Sequence, residues 1–394
     1  MRLASWLFIV FMVIAGGLPA QDSAQDSAPT DDFDALFDAP AEDVQEQPTD
    51  VIDHTAQFEK TESMAVTGSF TATGVGGGGW IVYPDWLHPQ EGFDGTVGLT
   101  SSATLALDAR PDTTVRVYGS MGTSMDPLAG SASWPAPAID ELFCDYSGIN
   151  GLFLRLGTWT LTWGQGRIFT PGNLVSDSAG NFIVRGSLPT LLNGVSFTTL
   201  MNNSLFSTPS SPSPRELVYA GTADLVLGKL LIGTGFRYQL VEGYNALVSL
   251  KIVLFGTDMY TDLTAHYLAP RLEYKALAGF FREWGDFKLN MEYCFDGTEL
   301  APNAHSLAVD LGYKDIFDTP VDIGAQWRHG LTDGSGSLAL GLGWTIFPNV
   351  TATIGLPFIY GKDGSFYVED NYNNDPAGRR LALGLSLELS ASFR

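Results

Sequence analysis

The sequence predicts an all-β protein, a transmembrane antiparallel β-barrel of about 16 strands within a range of roughly 14 to 18. Three observations lead to this prediction. From about residue 66 onward, stretches of about ten residues alternate between large apolar and small side chains. Gly, Asp, Asn and Pro separate these stretches, as expected of turns between short strands. The chain also opens on an apolar run that is typical of exported proteins.

The N-terminus has the layout of a secretory signal peptide, which we assign to residues 1–20. Met1-Arg2 is a short basic region, Leu7 to Ala15 is an apolar region, and Ala20 offers a small residue for cleavage. The apolar run is too short to cross a bilayer comfortably as a helix, so an uncleaved anchor is the less favoured alternative.

Residues 21–62 are predicted to form an acidic leader. Between residues 21 and 60 there are twelve Asp or Glu residues and one Lys, a net charge of −11. Such a segment buries too little apolar surface to offset its ordering entropy, so we expect it to be disordered. Its one apolar patch, DDFDALFDAP, is either a weakly sticky spot in a linker or one face of a short helix that docks onto a partner.

The remaining body is assigned to a single barrel domain, residues 63–394. Residues 61–394 carry a net charge of −13 without a basic stripe, so no nucleic acid is expected as a partner. No phosphate-binding loop, nucleophile elbow or zinc spacing is present, and we expect neither an enzyme nor a cofactor or metal. Cys144 and Cys294 either form one disulfide or remain two free thiols, and the sequence favours neither alternative.

The alternation is clearest in the last predicted strand, Arg380 to Phe393. Its large apolar residues form one unbroken face, whereas the other face holds small residues and one carboxylate, Glu388. Two further alternating stretches meet at Pro348-Asn349, which predicts a hairpin. Because side chains in a strand alternate between its two faces, each of these strands has one large apolar face.

Three features favour a membrane barrel over a soluble exported sandwich or solenoid, which would also alternate. The second face is made mainly of Gly, Ala, Ser and Thr with some charges, which suits a water-filled lumen. The mean hydropathy of +0.07 is low for a helical membrane protein. Aromatic residues lie at strand ends on the apolar face, as in an interfacial girdle: Tyr267, Tyr293, Phe295, Tyr313, Trp327, Tyr360 and Phe393.

One long segment, Gly164 to Thr190, lacks clean alternation. Just before it, the face occupied by large apolar residues changes, and a bulge or turn at Gly157 would explain the change. The segment either folds inward as a constriction or forms an external surface loop, and the sequence favours neither. Three other stretches are predicted as long loops on one side of the barrel: Gly76 to Asp94, Asp126 to Asp140 and Asn202 to Pro214.

The stretch LFLRLGTWTLTWGQGRIFTPGNL resembles a segment common in porin-like outer-membrane barrels. The resemblance covers only Arg155, Gly157, Trp163, Gly164 and Gly166. The leader motif DDFDALFDAP is similar to leaders of spirochaete outer-membrane proteins. The chain departs from the usual aromatic C-terminus of such barrels, because an arginine follows the last aromatic residue. The resemblance implies pore formation or small-solute transport and names no substrate.

The predicted function is passive diffusion of small hydrophilic solutes or ions through an outer-membrane channel, with a mild cation preference from its excess of acids. Expected partners are outer-membrane lipids, the barrel-assembly machinery and small solutes, and a homo-oligomer stays open. The alternatives are a transporter of a hydrophobic ligand, for which inward Leu231, Leu247 and Leu277 are a faint sign, and a structural or adhesive barrel. The predicted pore-lining residues are Arg155, Arg167, Arg185, Asp224, Arg237, Lys251, Asp262, His266, Glu273, Lys275, Lys288, Glu292, Asp310, Asp322, Arg328 and Glu388.

Overall fold

The computed structural model describes most of the predicted barrel domain: residues 63–81, 93–127, 134–175, 181–188, 195–201, 217–298, 303–374 and 379–393. The signal peptide and acidic leader predicted for residues 1–62 lie outside this part of the chain. Within the described residues, no helix is long and apolar enough to cross a bilayer.

The described chain forms β-strands joined by turns, with one short α-helix in one loop and a 3-10 helix, Ile316–Asp318, in another. The first nine strands are β1 Ser63–Trp80, β2 Phe93–Asp112, β3 Val115–Met125, β4 Ala138–Ile149, β5 Leu152–Thr158, β6 Phe182–Leu188, β7 Val195–Met201, β8 Val218–Leu227 and β9 Leu230–Gln239. The other nine are β10 Gly243–Leu254, β11 Thr257–Leu268, β12 Arg271–Trp284, β13 Phe287–Asp296, β14 His305–Tyr313, β15 Val321–Gly330, β16 Gly336–Phe347, β17 Val350–Tyr360 and β18 Leu381–Phe393.

These strands form one closed antiparallel sheet of 18 strands, in which each strand pairs with the next and β1 pairs with β18. The prediction of a transmembrane antiparallel barrel is confirmed, and the strand number lies at the upper limit of the predicted range. The count exceeds 16 because several hairpins turn within two residues, as at Gly228-Lys229, Phe255-Gly256 and Gly285-Asp286. A strand with its connection therefore uses fewer residues than the average that the prediction assumed.

The two ends of the barrel differ. Of the described connections that follow even-numbered strands, six have two residues and one, residues 314–320, has seven; we name this the turn end. The longer connections, including residues 159–181 and 361–380, follow odd-numbered strands, and we name this the loop end. Because the number of strands is even, Ser63 and Phe393 both lie at the turn end.

Burial is inverted relative to a soluble protein. On β18, Leu383, Leu385 and Leu387 are 47–54% exposed, whereas Ala382 and Ser386 between them are 0% and 2% exposed. A barrel that presents leucines outward and small residues inward is suited to being surrounded by lipid and not by water. The alternation in the sequence thus maps directly onto the outer and inner faces.

Two of the predicted loops are shorter than expected. β1 continues through Gly78 to Trp80, and β4 already begins at Ala138. Glycines weaken a strand, but the Phe93 ring of β2 lies where a side chain at Gly78 would be, 1.6 Å from the position of a Cβ atom. This cross-strand packing stabilises a glycine-rich strand that the sequence alone indicated as a loop. The predicted loop Asn202 to Pro214 lies outside the described residues.

Candidate functional site

A network of arginines and aspartates lies on the inner face of β2 to β5. Arg116 forms two hydrogen bonds of 3.0 Å with Asp108, and Arg155 forms bonds of 2.6 and 3.0 Å with Asp145. Arg116 Nη1 also lies 3.7 Å from Asp145 Oδ2, so two guanidinium groups share one fully buried carboxylate. We name these four residues the arginine network. Bidentate pairs of this kind combine charge attraction with fixed geometry.

The arginine network extends along the wall through two further arginines and an aromatic group. Arg110 lies 3.7 Å from Asp108, and Arg185 of β6 stands directly opposite Arg155 in the sheet register. The Arg155 guanidinium lies 4.1 Å from the centre of the Phe143 ring, within the range of a cation–π interaction. The predicted residues Arg155 and Arg185 therefore both face the interior.

The chain leaves the sheet after β5 and enters the barrel as residues 159–175, which we name the inward segment. Trp159, Leu161 and Trp163 are only 4%, 2% and 7% exposed. They form an apolar cluster with residues of the inner wall and of the segment itself: Phe143, Val175, Ile183, Val218, Ala220 and Leu247. The region therefore folds into the barrel and does not form an external surface loop, the other alternative that the sequence left open. The predicted segment Gly164 to Thr190 was too long, because residues 182–188 belong to β6.

Gly157 marks the start of this departure. Its φ is +143°, and a Cβ atom there would lie 2.1 Å from the carbonyl oxygen of Leu142 on β4. A side chain is therefore excluded at this position. The change of face in the sequence is not a bulge within a longer strand: β5 ends one residue later, at Thr158.

Glu292 on β13 is the main anchor of the inward segment. Its carboxylate accepts hydrogen bonds from the backbone N–H groups of Arg167, Ile168 and Phe169, at 2.6, 3.0 and 2.7 Å. The hydroxyl of Tyr260 donates a fourth bond of 2.6 Å, and Glu292 is 1% exposed. A buried carboxylate with this many donors is well compensated for its lost hydration. Glu292 was predicted to line the pore, and it instead lies beneath the segment.

Tyr260 reaches Glu292 across an intervening strand. It lies on β11 and Glu292 on β13, and both β-strands pair with β12. Gly279 of β12 stands between them, where a Cβ atom would lie 2.6–2.8 Å from the Tyr260 ring and hydroxyl. The glycine therefore leaves the space through which the phenol passes.

Asp262 on β11 is the second anchor. Its Oδ2 atom accepts hydrogen bonds from the backbone N–H groups of Gln165 and Gly166, at 2.7 and 3.1 Å. Cβ atoms at Gly164 and Gly172 would lie 2.7 and 2.8 Å from this same oxygen. The Gly-x-Gly of the porin-like motif thus lets the backbone approach a buried carboxylate closely.

Arg167 extends from the inward segment toward the turn end of β11. Its guanidinium donates a hydrogen bond of 3.1 Å to Asp258 and lies 3.8 Å from the centre of the Phe281 ring. Asp258 also pairs with Lys251 at 2.9 Å. The Arg167 side chain is 37% exposed, so part of this predicted residue faces open space inside the barrel.

A second polar cluster lies on the same wall nearer the loop end. Arg237 pairs with Glu242 at 2.6 Å, and Lys275 pairs with Asp296 at 2.9 Å. His266 contacts the Glu242 carbonyl oxygen at 2.6 Å through Nε2 and Glu273 at 3.6 Å through Nδ1. Asp262, four residues before His266 on the same face of β11, is bound to the inward segment instead.

The other predicted pore-lining residues lie on the inner face of their strands, since their sequence neighbours carry the exposed apolar side chains. Asp322 accepts a hydrogen bond of 2.9 Å from the Asp315 backbone N–H at the turn end. Arg328 is largely buried. The remaining members of this group are Asp224, Lys288, Asp310 and Glu388.

One helix, α1 (Phe366–Asn374), lies in the loop between β17 and β18. Tyr367 and Val368 pack on Ile359 and Ala382, which belong to the inner face. The helix therefore covers part of the barrel mouth at the loop end. The alternation in the sequence does not predict this helix, because a short helix in a polar loop has no period-two pattern.

Asp333, in the loop between β15 and β16, holds the start of α1. Its carboxylate accepts hydrogen bonds from the backbone N–H groups of Phe366 at 2.6 Å and Ser335 at 2.9 Å. Partial burial raises the pKa of Asp333, but the hydrogen bonds from Ser335 and Phe366 outweigh it and hold this pKa below its ordinary value. The anchor is thus charged at neutral pH.

We expect acid to loosen α1. Because the pKa of Asp333 is lowered in the folded protein, its contribution to stability is complete above the unfolded value of about 3.9 and is lost as the pH falls through the folded value. Amide hydrogen exchange in residues 366–370 should therefore accelerate, beyond its intrinsic pH dependence, at the acid end of a titration. The variant Asp333→Asn should not show this acceleration of exchange. An identical acceleration in the variant would contradict the role of Asp333 as the anchor of α1.

No protein-family model matches the chain, and no curated protein sequence is similar to it. Solved structures are similar. OccK2 (OpdF) of Pseudomonas aeruginosa is 12% identical and has a TM-score of 0.53, with 83% of this chain and 98% of that chain covered. The fold is a porin-like β-barrel. A porin mutant of Rhodopseudomonas blastica is 9% identical, with a TM-score of 0.45 and coverage of 84% and 100%. At such identities the similarity concerns the fold alone.

Three members of the arginine network, and Arg110 beside it, are absent from the pore-lining residues predicted for this porin-like barrel. Asp108, Arg110, Arg116 and Asp145 all face the interior. Leu105 and Leu107 lie on the outer face of β2. The period-two pattern would therefore have placed Asp108 on the inner face. Asp145 gave no such signal, because β4 carries large side chains on both of its faces.

The two cysteines of the porin-like barrel are free thiols. Cys144 shares its face with the exposed Leu156, whereas Cys294 shares its face with the buried Leu277. One thiol thus points outward and the other inward, on strands that are not neighbours, and they cannot form a disulfide within one chain. Among the described residues, no group of three or more His, Cys, Asp or Glu is placed to hold a metal ion.

Proposed function

We propose that the chain is an outer-membrane channel through which small hydrophilic solutes or ions diffuse passively. The observation that carries this proposal is the arrangement of the interior. The arginine network occupies β2 to β5, and the two carboxylates that anchor the inward segment, Asp262 and Glu292, lie on β11 and β13, about half-way round the ring of 18 strands. Charged walls that face each other across a lumen suit water and polar solutes better than an apolar ligand.

The inward segment supports a limit on the size of the solute. It occupies space that an 18-stranded barrel would otherwise leave as an aqueous channel. Its backbone is tied to two buried carboxylates, Glu292 and Asp262, and its apolar side chains are packed on the wall. A narrowing fixed in this way would restrict passage to small solutes.

The orientation in the membrane follows from the two ends of the barrel. Short turns face the periplasm and long loops face the exterior in bacterial outer-membrane barrels. On this basis the turn end would be periplasmic, and the mouth with α1 would be external. The proposal includes a signal peptide at residues 1–20, a leader at 21–62 and the barrel at 63–394.

The proposed channel should show a mild preference for cations. Glu292 and Asp262 are bound by neutral backbone donors, so their negative charge is not cancelled by a contacting Lys or Arg among the described residues. The test is reconstitution of the purified barrel in planar bilayers under a salt gradient. Steady currents with a cation-selective reversal potential are expected. An anion-selective potential would contradict the charge argument, and absence of current would contradict the channel.

A transporter of a hydrophobic ligand is the second candidate. It would require an open apolar pocket inside the barrel. Leu247 and Leu277 do face inward, but Leu247 belongs to the closed cluster under the inward segment, and Leu277 is 1% exposed beside Gly166. This packing favours the channel. A structural or adhesive barrel acting through its loops would, like the transporter, give no steady conductance.

A further inference from the structure

The outer face at the loop end of β13 to β17 carries two tyrosine–histidine pairs. Tyr360 and His329 form one pair, with 3.0 Å between the phenol oxygen and Nδ1. Tyr293 and His305 form the other, with 2.7 Å between the same atoms. Both pairs lie among the aromatic residues that the sequence placed in an interfacial girdle. The pairs lie outside the interior to which the channel proposal refers.

A neighbouring tryptophan fixes the direction of the hydrogen bonds in the first pair. Trp327 Nε1 can only donate, and it donates to the Tyr360 hydroxyl oxygen at 2.9 Å. The single phenol proton of Tyr360 is then free to be donated to His329 Nδ1. A neutral imidazole that accepts at Nδ1 carries its proton at Nε2. His329 is thereby prepared as a hydrogen-bond donor at Nε2.

A glycine makes this geometry available. Tyr360 lies on β17 and His329 on β15, with β16 between them. At Gly336 of β16, a Cβ atom would lie 2.3 Å from the Tyr360 hydroxyl oxygen. The phenol therefore crosses β16 over the backbone of a residue that has no side chain.

The Nε2 atoms of His305 and His329 have no hydrogen-bond partner among the described residues. His305 is exposed and His329 is half-buried. The register pairs His329 with Leu307, two positions from His305 on the same face. Diagonal neighbours of this kind are about 7–8 Å apart. If Tyr293 donates its phenol proton to His305 Nδ1 in the same way, His305 also carries its proton at Nε2, and the two imidazoles are near enough for one lipid headgroup to contact both.

We propose that this surface, His305 and His329 with their tyrosines, binds the phosphate group of a membrane lipid in the external leaflet. Phosphate oxygens are strong acceptors that match two N–H donors. The location supports a lipid as the occupant, because aromatic girdles lie at the level of the headgroups. The proposal rests on the membrane location of the barrel, and it adds a lipid-binding site that the channel does not require.

The test compares binding of two lipids to the detergent-solubilised barrel by native mass spectrometry. The lipids are phosphatidylglycerol and an uncharged glycolipid that lacks phosphate. The wild type should retain phosphatidylglycerol preferentially. In the double variant His305→Phe/His329→Phe, the ratio of phosphatidylglycerol to glycolipid retained should fall about tenfold, because the variant keeps the rings but removes both N–H groups. Tyr274→Phe is the matched control and should retain the preference. Tyr274 is an exposed tyrosine on the outer face near the same end of the barrel, and its phenol contacts no histidine among the described residues.

The outcomes separate this proposal from the channel. Equal binding of both lipids by the wild type, or an undiminished preference in the double variant, would overturn the lipid site. Displacement of phosphatidylglycerol by millimolar inorganic phosphate would also overturn it, because the site would then take free phosphate. Bilayer currents measured on the same preparations test the channel independently. Currents that persist while the lipid preference disappears in the double variant are the result expected if both proposals hold.

Discussion

Replacing Glu292 by alanine is expected to release the inward segment and raise the conductance of the barrel. The substitution removes the acceptor for three backbone N–H groups and one phenol. Each buried donor left without a partner costs about 1–3 kcal/mol, so the loss is several kcal/mol if the segment stays in place. If the inward segment moves into the lumen, water can accept hydrogen bonds from these donors and the cost is relieved. The released segment would also fluctuate, so we expect noisier single-channel currents.

A conservative variant and a matched control sharpen this experiment. Glu292→Gln keeps one acceptor oxygen but turns an amide NH₂ toward the backbone donors, and its conductance should fall between those of wild type and alanine variant. Glu273→Ala removes a carboxylate from the same wall that contacts His266 and not the inward segment. It should leave the current noise unchanged. A folded Glu292→Ala barrel with wild-type conductance would show that the segment is held without this anchor.

Replacing Asp145 by asparagine is expected to destabilise the barrel and shift its selectivity toward anions. Asp145 is fully buried and neutralises Arg155, with Arg116 nearby. Removing one partner of a buried ion pair typically costs about 3–5 kcal/mol, because the other charge is left uncompensated. The lost negative charge also makes this wall of the lumen more positive. Heat stability on gels and the reversal potential measure the two effects.

A double variant separates the ion pair from general damage to the wall. Asp145→Asn combined with Arg155→Gln removes both charges, so it should be more stable than Asp145→Asn alone and should restore the selectivity. Asp322→Asn is the control, since this inner-face carboxylate contacts one backbone N–H at the turn end. It should have a much smaller effect on stability. Additive effects in the double variant would argue against a coupled pair.

The faces of the strands could be predicted because alternation is a local property. In β18, β17 and β11 each residue's face follows from its position alone, and the structure places the charged residues of β18 and β11 inside. The same reasoning failed at β4, where Phe143 and Leu142 put large side chains on both faces. It also failed at Gly78, where a ring from the neighbouring strand makes a glycine run part of the sheet. Cross-strand packing is not a local property.

The sequence by itself determined an antiparallel barrel with an apolar outer face, because a period of two assigns every side chain to one side of the sheet. Only the tertiary structure decided the strand number, the inward course of residues 159–175 and the partners of the buried charges. These depend on contacts between residues far apart in the chain, such as Glu292 with the backbone at Ile168. Such contacts form only when the sheet closes and brings β13 beside the segment that follows β5.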